Sequence, residues 1–396
     1  MFADKEILQI INRESLLFDD DIETHEDELK KIVSSSTFLI IGGAGSIGRQ
    51  VTKEILKRKP KTIHIIDISE NNLVELVRDL RSSNSIKSEF ETFSIDTMSK
   101  SFDLLTKNYR YDYVLNLSAI KHVRAERDPY TILRMIEVNI LSTLKSLELT
   151  KDFSKKFFCV STDKASNPVS LMGASKRIME LFLLDHESET EISSARFANV
   201  AFSDGSLLEG FINRFNKKQP LAAPLDIKRY FITPRESGEL CLMSAIFGMD
   251  KDIFFPKFRE DFQLTSFTDI AENFLLKKGY EPFYCSSEDE AREKVCLIDK
   301  QKKWPCYFFK SDTSGEKSFE EFYTSDEIPD LSFFTNIGIV KPKLQVDKKL
   351  LNKFMESFKE ISNKKNIDKN MLVDIFEMLL PNFSHLETNK NLDQKM

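Results

Sequence analysis

Thr37-Phe38-Leu39-Ile40-Ile41-Gly42-Gly43-Ala44-Gly45-Ser46-Ile47-Gly48 is the stretch that decides the fold. Its first five residues are a short apolar run of the kind buried on both faces of a parallel sheet. Glycines at 42, 45 and 48 follow at once. At that spacing they permit a tight turn, close approach of a pyrophosphate to the backbone, and close packing of the next helix, whose N-terminus offers unpaired N–H groups to phosphate. An amphipathic helix over 49–58 and a second apolar run, Thr62 to Ile66, complete a strand–helix–strand unit. Asp67 ends that run about twenty residues past the last glycine, where a carboxylate meets the ribose hydroxyls of an adenosine. The expected fold is α/β: a doubly wound parallel sheet of Rossmann type with a phosphate cradle at Gly42, Gly45, Ser46, Ile47 and Gly48. Asp67 favours NAD as cofactor, while Arg78 or Arg81 on the next helix leaves NADP open, since either can neutralise a 2′-phosphate.

Composition sets the outer bounds. A chain of 396 residues is long enough for one large core or two, and a net charge of -6 argues against a general nucleic-acid binder. Five cysteines, an odd number without CxxC spacing, read as free thiols in a reducing cytoplasm, with no metal site. The N-terminus MFADKEILQIINRES has acidic residues where a secretion signal needs basic ones, and no window reaches the roughly 18 apolar residues of a membrane span. A cytoplasmic protein is expected.

Working outward, residues 1–35 read as a helical extension, a packing arm or dimer contact, in which Asp19-Asp20-Asp21 breaks one helix before a second near Glu26 to Val33. The Rossmann domain is placed at 36–200. Within it a strand near Phe90 to Ile95 leads to Asp96, a candidate for the adenine amino group, and a strand at Tyr113 to Leu117 leads to Ser118 and Ala119, small enough for a cofactor to pass. Lys121 and His122 follow, polar groups for the nicotinamide or substrate end, though His122 reads equally as a satisfied loop histidine. A long helix over 130–149 contains Asn139. Then comes Cys159 to Arg177, CVSTDKASNPVSLMGASKR. Its apolar run delivers Thr162, Asp163 and Lys164 to the carboxyl end of a strand, where ligands sit in such sheets, and the next helix carries Met172 and, one turn on, Lys176. An acid beside an amine can move protons at one carbon skeleton. Residues 201–345 are assigned to a substrate-binding lobe with helices near 234–248 and 268–278, a charged segment at 286–303 and an aromatic strand at 304–309. Residues 346–396 are assigned to a helical tail of two amphipathic helices with a frayed end.

Together the glycine loop, Ala119-Ile120-Lys121-His122-Val123, Asn139 and STDKA…MGASKR resemble the extended short-chain dehydrogenase/reductase superfamily. Within it they are similar to the UDP-N-acetylglucosamine 4,6-dehydratases of the CapD-type polysaccharide-biosynthesis group. The likeness continues in Arg196-Phe197-Ala198-Asn199-Val200, Lys228 to Thr233, Gly315-Glu316-Lys317 and Glu320-Glu321, and so covers about residues 36–330. It implies oxidation of sugar C4 by bound NAD, loss of water across C5 and C6, and return of the hydride to C6, with the cofactor regenerated each cycle. Most short-chain dehydrogenases have a basic tyrosine at the position of Met172, so the proton work is implied to fall on the Thr-Asp-Lys run. Lys164 then takes the C5 proton, Asp163 protonates the departing hydroxyl, Thr162 bonds the C4 oxygen and Lys176 holds the nicotinamide ribose. Asn199, Arg229 and Arg235 are the implied contacts of a UDP-sugar, beside Lys121 and His122. Symmetric homo-oligomers are the rule for such enzymes. The sequence departs from the family at Thr313, where an arginine is usual, and at Asp204 and Glu209. A nucleotide-sugar 4-epimerase is weakened by Met172, and a non-catalytic NAD(P)-binding relative by the intact Asp163, Lys164 and Lys176.

Overall fold

Seven parallel strands run through the middle of the main sheet, and two short antiparallel ones close one edge. The computed structural model describes residues 2–385 except 258, 260, 261, 312–316, 318, 320 and 343–346. Six of the parallel strands are β1 (Thr37–Ile41), β2 (Thr62–Asp67), β3 (Glu89–Ser94), β4 (Tyr113–Asn116), β5 (Lys156–Thr162) and β6 (Glu191–Phe197). They lie in the order β3-β2-β1-β4-β5-β6, so the doubly wound expectation is borne out. Asp252–Pro256 extends the sheet parallel to β6, and Ile337–Val340 and Pro329–Asp330 finish it antiparallel. The chain therefore leaves the sheet after β6 and returns to it twice, and residues 201–345 are not one continuous lobe.

Alternation along β1 shows why these residues make a central strand. Phe38 and Ile40 point into the apolar layer on one face, with Ile55, Leu240 and Phe254, whereas Leu39 and Ile41 point into the other, with Ile136, Ile178 and Phe354. Helices cover both faces at β1, whose residues from Phe38 to Ile41 are buried, while the edge strand β3 stays open to solvent at Glu89, Glu91 and Ser94. Sequence order reverses across the sheet between β1 and β4, whose ends pair at Ile41 and Asn116. A crevice opens at that switch point.

A smaller layer comprises Leu221–Pro224, Lys303–Phe309 and Glu281–Cys285, all parallel, packed on the helices Leu207–Asn216 and Phe267–Lys277. The aromatic run expected at 304–309 is its middle strand. Trp304 stacks on Phe215 at 4.6 Å between ring centroids, and its indole N–H donates to the Gln219 carbonyl.

Both chain ends are built into this body. Asp19, Asp20 and Asp21 do not break a helix as expected but begin one, Asp19–Ser34, because acidic groups are stabilised in the first turn by the helix dipole. Arg13 reaches across to Glu236, bridging its two carboxyl oxygens at 2.6 and 2.8 Å with both partners buried. The C-terminal helices Lys348–Ser362 and Lys369–Leu379 lay Leu351, Phe354, Leu372 and Phe376 on the helices Pro129–Ile136 and Leu171–Asp185. Among the described residues no helix is long and apolar enough to cross a membrane, no cluster of side chains could hold a metal, and all five cysteines are free thiols. Thr313, Gly315, Glu316, Glu320 and nearly all of the tail expected to fray, from 386 on, lie outside the described residues.

Candidate active site

Two adjoining cavities open at the carboxyl ends of β1, β4 and β5, of about 410 and 250 Å³. Gly42, Gly45, Leu117 and Ala119 line both, so the glycine loop and the end of β4 form the ridge between them. The loop is shaped by constraints of two kinds. A side chain on Gly42 would lie 2.7 Å from the Ser118 amide at a φ of +73°, and one on Gly48 would lie 2.4 Å from the Gly42 carbonyl, so the chain itself requires both glycines. Gly45 differs: the nearest atom to a Cβ there is the Gly42 carbonyl oxygen at 3.5 Å. The fold would accept a side chain at 45, and that side chain would enter the ridge between the two cavities.

The smaller cavity has Asp67, Asp96, Ser118 and Ala119 in its wall. Asp67 also steadies the loop, accepting the Ala44 amide at 3.0 Å and the Ser69 amide at 2.9 Å. Arg134 lines this cavity too, with its guanidinium 3.1 Å from Asp96 and from Glu137. Arg78 and Arg81, expected as possible partners of a 2′-phosphate, do not line it.

The larger cavity gathers Ser46, Ile47, Lys121, His122, Thr162, Lys164, Met172, Lys176 and Asn199. Residues far apart in sequence meet here because β5 ends beside β4 and the helix after it folds back over the strand end. Thr162 and Lys164 face the space, and Asp163 lies behind them, 2% exposed. One oxygen of Asp163 accepts from both, from the Thr162 hydroxyl at 2.9 Å and from Lys164 Nζ at 2.9 Å. Asp163 is thus coupled to the cavity through its two neighbours and does not reach it directly. Lys176 is buried under the site, donating to the Val160 carbonyl at 3.0 Å, and burial pushes its amine below the ordinary lysine range.

On the far wall Lys121 donates to Ser203 at 3.3 Å, and burial lowers its amine against the pull of Asp204 and Glu209. His122 is pushed down by burial and by the neighbouring Lys121 and Arg124, and it packs against Gly205, where a Cβ would lie 2.6 Å from its Nε2. Asn199 Nδ2 is buried without a partner in the described structure, beside the cavity. The long helix expected at 130–149 is interrupted by a π-helical turn, Glu137–Leu141, and Asn139 sits in it. Its amide bonds both backbone groups of Ile120 and the Ser175 hydroxyl, so it ties the Lys121 loop to the helix of Lys176.

Two expected contacts are placed elsewhere. Arg235 points to the outside of its helix, where Asp19 and Glu239 each hold it at 2.7 Å, and it joins the N-terminal helix to the body instead of entering the cavity. Arg229 is buried and donates to the carbonyls of Lys228 and Lys317, a role in holding a loop, and it does not line either cavity. Sequence reading did not single out as site residues Ser203, Ser206, Leu207, Phe231 and Phe267, which are among the others lining the larger cavity. Ser206 does carry a local signal, since its hydroxyl caps the helix Leu207–Asn216.

The family model described as "Polysaccharide biosynthesis protein" matches residues 38–341. An uncharacterized membrane protein of Methanocaldococcus jannaschii is 30% identical, over 86% of this chain and 97% of that one. The capsular polysaccharide biosynthesis protein CapD of Staphylococcus aureus is 28% identical over 81% of this chain and 50% of its own, so this chain spans about half of that relative. A UDP-N-acetylglucosamine 4,6-dehydratase (inverting) of Campylobacter jejuni is 27% identical over 57% of this chain and 67% of its own. Among solved structures, Pen from Bacillus thuringiensis superposes with a TM-score of 0.64 at 20% identity, over 88% of this chain and 98% of that one. WbmF of Bordetella bronchiseptica, in complex with NAD+ and UDP, superposes at 0.51 and 20% identity over 64% and 80%. At that identity the structural likenesses establish the fold.

Proposed function

Because this chain belongs to the polysaccharide biosynthesis protein family, whose relatives include a nucleotide-sugar dehydratase, we propose that it is a UDP-N-acetylglucosamine 4,6-dehydratase using NAD. The observation that carries the reading is the shared cavity: Thr162 and Lys164, with Asp163 bonded to both, stand in one space with the glycine loop. A thioether, Met172, occupies the wall where an alcohol dehydrogenase needs a phenol.

A nicotinamide dinucleotide bound here supplies the redox chemistry, removing and restoring hydride on the sugar. Asp67 would hold its adenosine ribose, the Gly45 gap its pyrophosphate, and Lys176 its nicotinamide ribose. The remaining work is proton transfer. The C4 hydroxyl proton is released to solvent water as the hydride leaves, and the proton Lys164 takes from C5 returns to C5 as the hydride is restored to C6. Water then reprotonates the Asp163–Lys164 pair. Lys164 and Asp163 share one hydrogen bond, and moving its proton from nitrogen to oxygen converts an ammonium–carboxylate pair into an amine and a carboxylic acid. That pair is what elimination needs: a base for the C5 proton and an acid for the leaving hydroxyl. Since Asp163 is shielded from the cavity, the Thr162 hydroxyl, bonded to the same oxygen, is the route by which its proton reaches C6. Lys121, Asn199 and Ser203 line the same cavity and in this reading would bind the diphosphate and sugar.

The direct test is to incubate the protein with UDP-N-acetylglucosamine and follow the sugar by NMR. A 4-keto-6-deoxy product is expected, and its ring couplings report the stereochemistry at C5; recovery of the galacto epimer alone would replace the dehydratase by an epimerase. Gly45→Ala gives a separate check on the cofactor. Because the position has room, thermal unfolding should shift by no more than a few degrees, while affinity for NADH falls by about tenfold or more through the methyl group set in the pyrophosphate's place. Unchanged NADH affinity would mean that the dinucleotide does not cross the loop at Gly45.

A further inference from the structure

The helix Leu171–Asp185 brings Met172 and Lys176 to the cavity, and the amides of Met172 and Gly173 in its first turn are taken by protein side chains. Ser170 caps it by accepting the Gly173 amide at 3.1 Å. The Met172 amide donates, at 3.0 Å, to Oε1 of Glu126, a residue 46 positions earlier in a 3-10 turn and only 3% exposed. The second oxygen of Glu126 lies 3.0 Å from Nε2 of His385, itself nearly covered. His385 comes at the end of the C-terminal helical pair, two residues after Phe383, which packs on Phe376 with centroids 6.5 Å apart.

A buried carboxyl group is costly unless its oxygens are paired, and here both are. One takes a helix N-terminal amide, where the helix dipole also favours negative charge, and the other takes an imidazole. The consequence lies one turn away. A Cβ on Gly173 would lie 2.5 Å from the Lys164 carbonyl oxygen, so this helix runs in direct backbone contact with the Thr162–Lys164 run. Any displacement of its first turn moves Met172 and Lys176 against those residues.

We infer that Glu126, backed by His385, is a positioning residue that sets the height and rotation of the helix carrying Met172 and Lys176. The C-terminal tail thereby becomes part of the support of the site. The inference rests on the nicotinamide reading for its functional consequence, and on geometry alone for its structural one.

The experiment compares the wild type with Glu126→Ala, Glu126→Gln and His385→Ala by amide hydrogen exchange over residues 171–177, NADH titration and thermal unfolding. In Glu126→Ala, exchange at Met172 should quicken by about tenfold or more and NADH affinity fall by about tenfold. Glu126→Gln keeps an acceptor for the amide and should restore both to within about threefold, and His385→Ala should show the same changes at smaller size. Exchange at the wild-type rate in both alanine variants overturns the inference. So does faster exchange with unaltered NADH affinity, which would make the contact structural only. Should Glu126→Ala not fold, His385→Ala decides by the same two measurements. A wild type that binds no NADH brings down the functional reading instead, and the exchange rates still decide whether Glu126 holds the helix.

Discussion

Lys164→Met should lower formation of the 4-keto-6-deoxy product by roughly three orders of magnitude, the scale of a lost general base, while NADH remains bound. The substitution keeps the side chain as far as Cε and removes the amine bonded to Asp163 Oδ1. Asp163 retains the Thr162 hydroxyl, so unfolding should move by no more than about 1–3 kcal/mol, the usual cost of a lost partner at a buried polar group. The affinity for NADH should stay within about twofold, because the groups assigned to the dinucleotide, Asp67, Gly45 and Lys176, are untouched. Turnover at the wild-type rate would remove Lys164 from the mechanism. Loss of NADH binding together with turnover would make it a cofactor ligand.

Arg196→Met should be the most damaging single change to stability. Arg196 is fully buried on β6 and bonds two carboxylates at once: Glu180 through Nε at 2.9 Å and Nη2 at 2.7 Å, and Glu327 through Nη1 at 2.6 Å and Nη2 at 2.9 Å. Arg177 joins both carboxylates from the helix of Lys176, and Ser161, the residue before Thr162, donates to Glu180 at 2.6 Å. Removing the central guanidinium strands buried negative charge, for which about 3–5 kcal/mol is the measured range, and it loosens the support of β5 next to the site. Linkage gives the sign with pH. Burial by itself would raise Glu327, but the hydrogen bonds and charge of Arg196 outweigh it and hold the carboxyl down at about 2. Its contribution to stability is therefore complete above the unfolded value near ~4.3 and is lost as pH falls from there toward about 2. Denaturant titrations of the wild type should show that acid loss. In Arg196→Met this acid loss should shrink or reverse, because burial then pushes the Glu327 carboxyl up toward or past its unfolded value, and an identical profile in the two proteins would dismiss the ion network as the cause.

The central part of the fold was legible from local signals. Five apolar residues running into Gly42, Gly45 and Gly48, with Asp67 at the end of the next strand, force a strand–turn–helix–strand unit because every step is set by near neighbours. Expectations built on near neighbours failed where a distant partner intervened. Asp19-Asp20-Asp21 looked like a break, yet Asp21 accepts the amides of Thr335 and Asn336 at 2.6 and 2.7 Å and closes the first turn of a helix. Arg235 looked like a phosphate or uridine partner by its forked guanidinium, but its helix holds it to Asp19 and Glu239. The π-helical turn at Asn139 cannot be read from periodicity, since one inserted residue barely alters the apolar pattern around it.

The sequence alone determined the type of sheet, the loop at its centre and the identity of the Thr162-Asp163-Lys164 run, because those follow from residue type and spacing along one strand and the turn after it. Tertiary structure alone decided that Asp163 is shielded behind its neighbours, that Arg229 and Arg235 lie off the cavity, and that Glu126 and His385, 259 residues apart, meet at the start of the helix of Met172. The physical reason is range. Strand and turn preferences act over a few residues, whereas burial and the pairing of charges are settled only when segments distant in the chain are packed together.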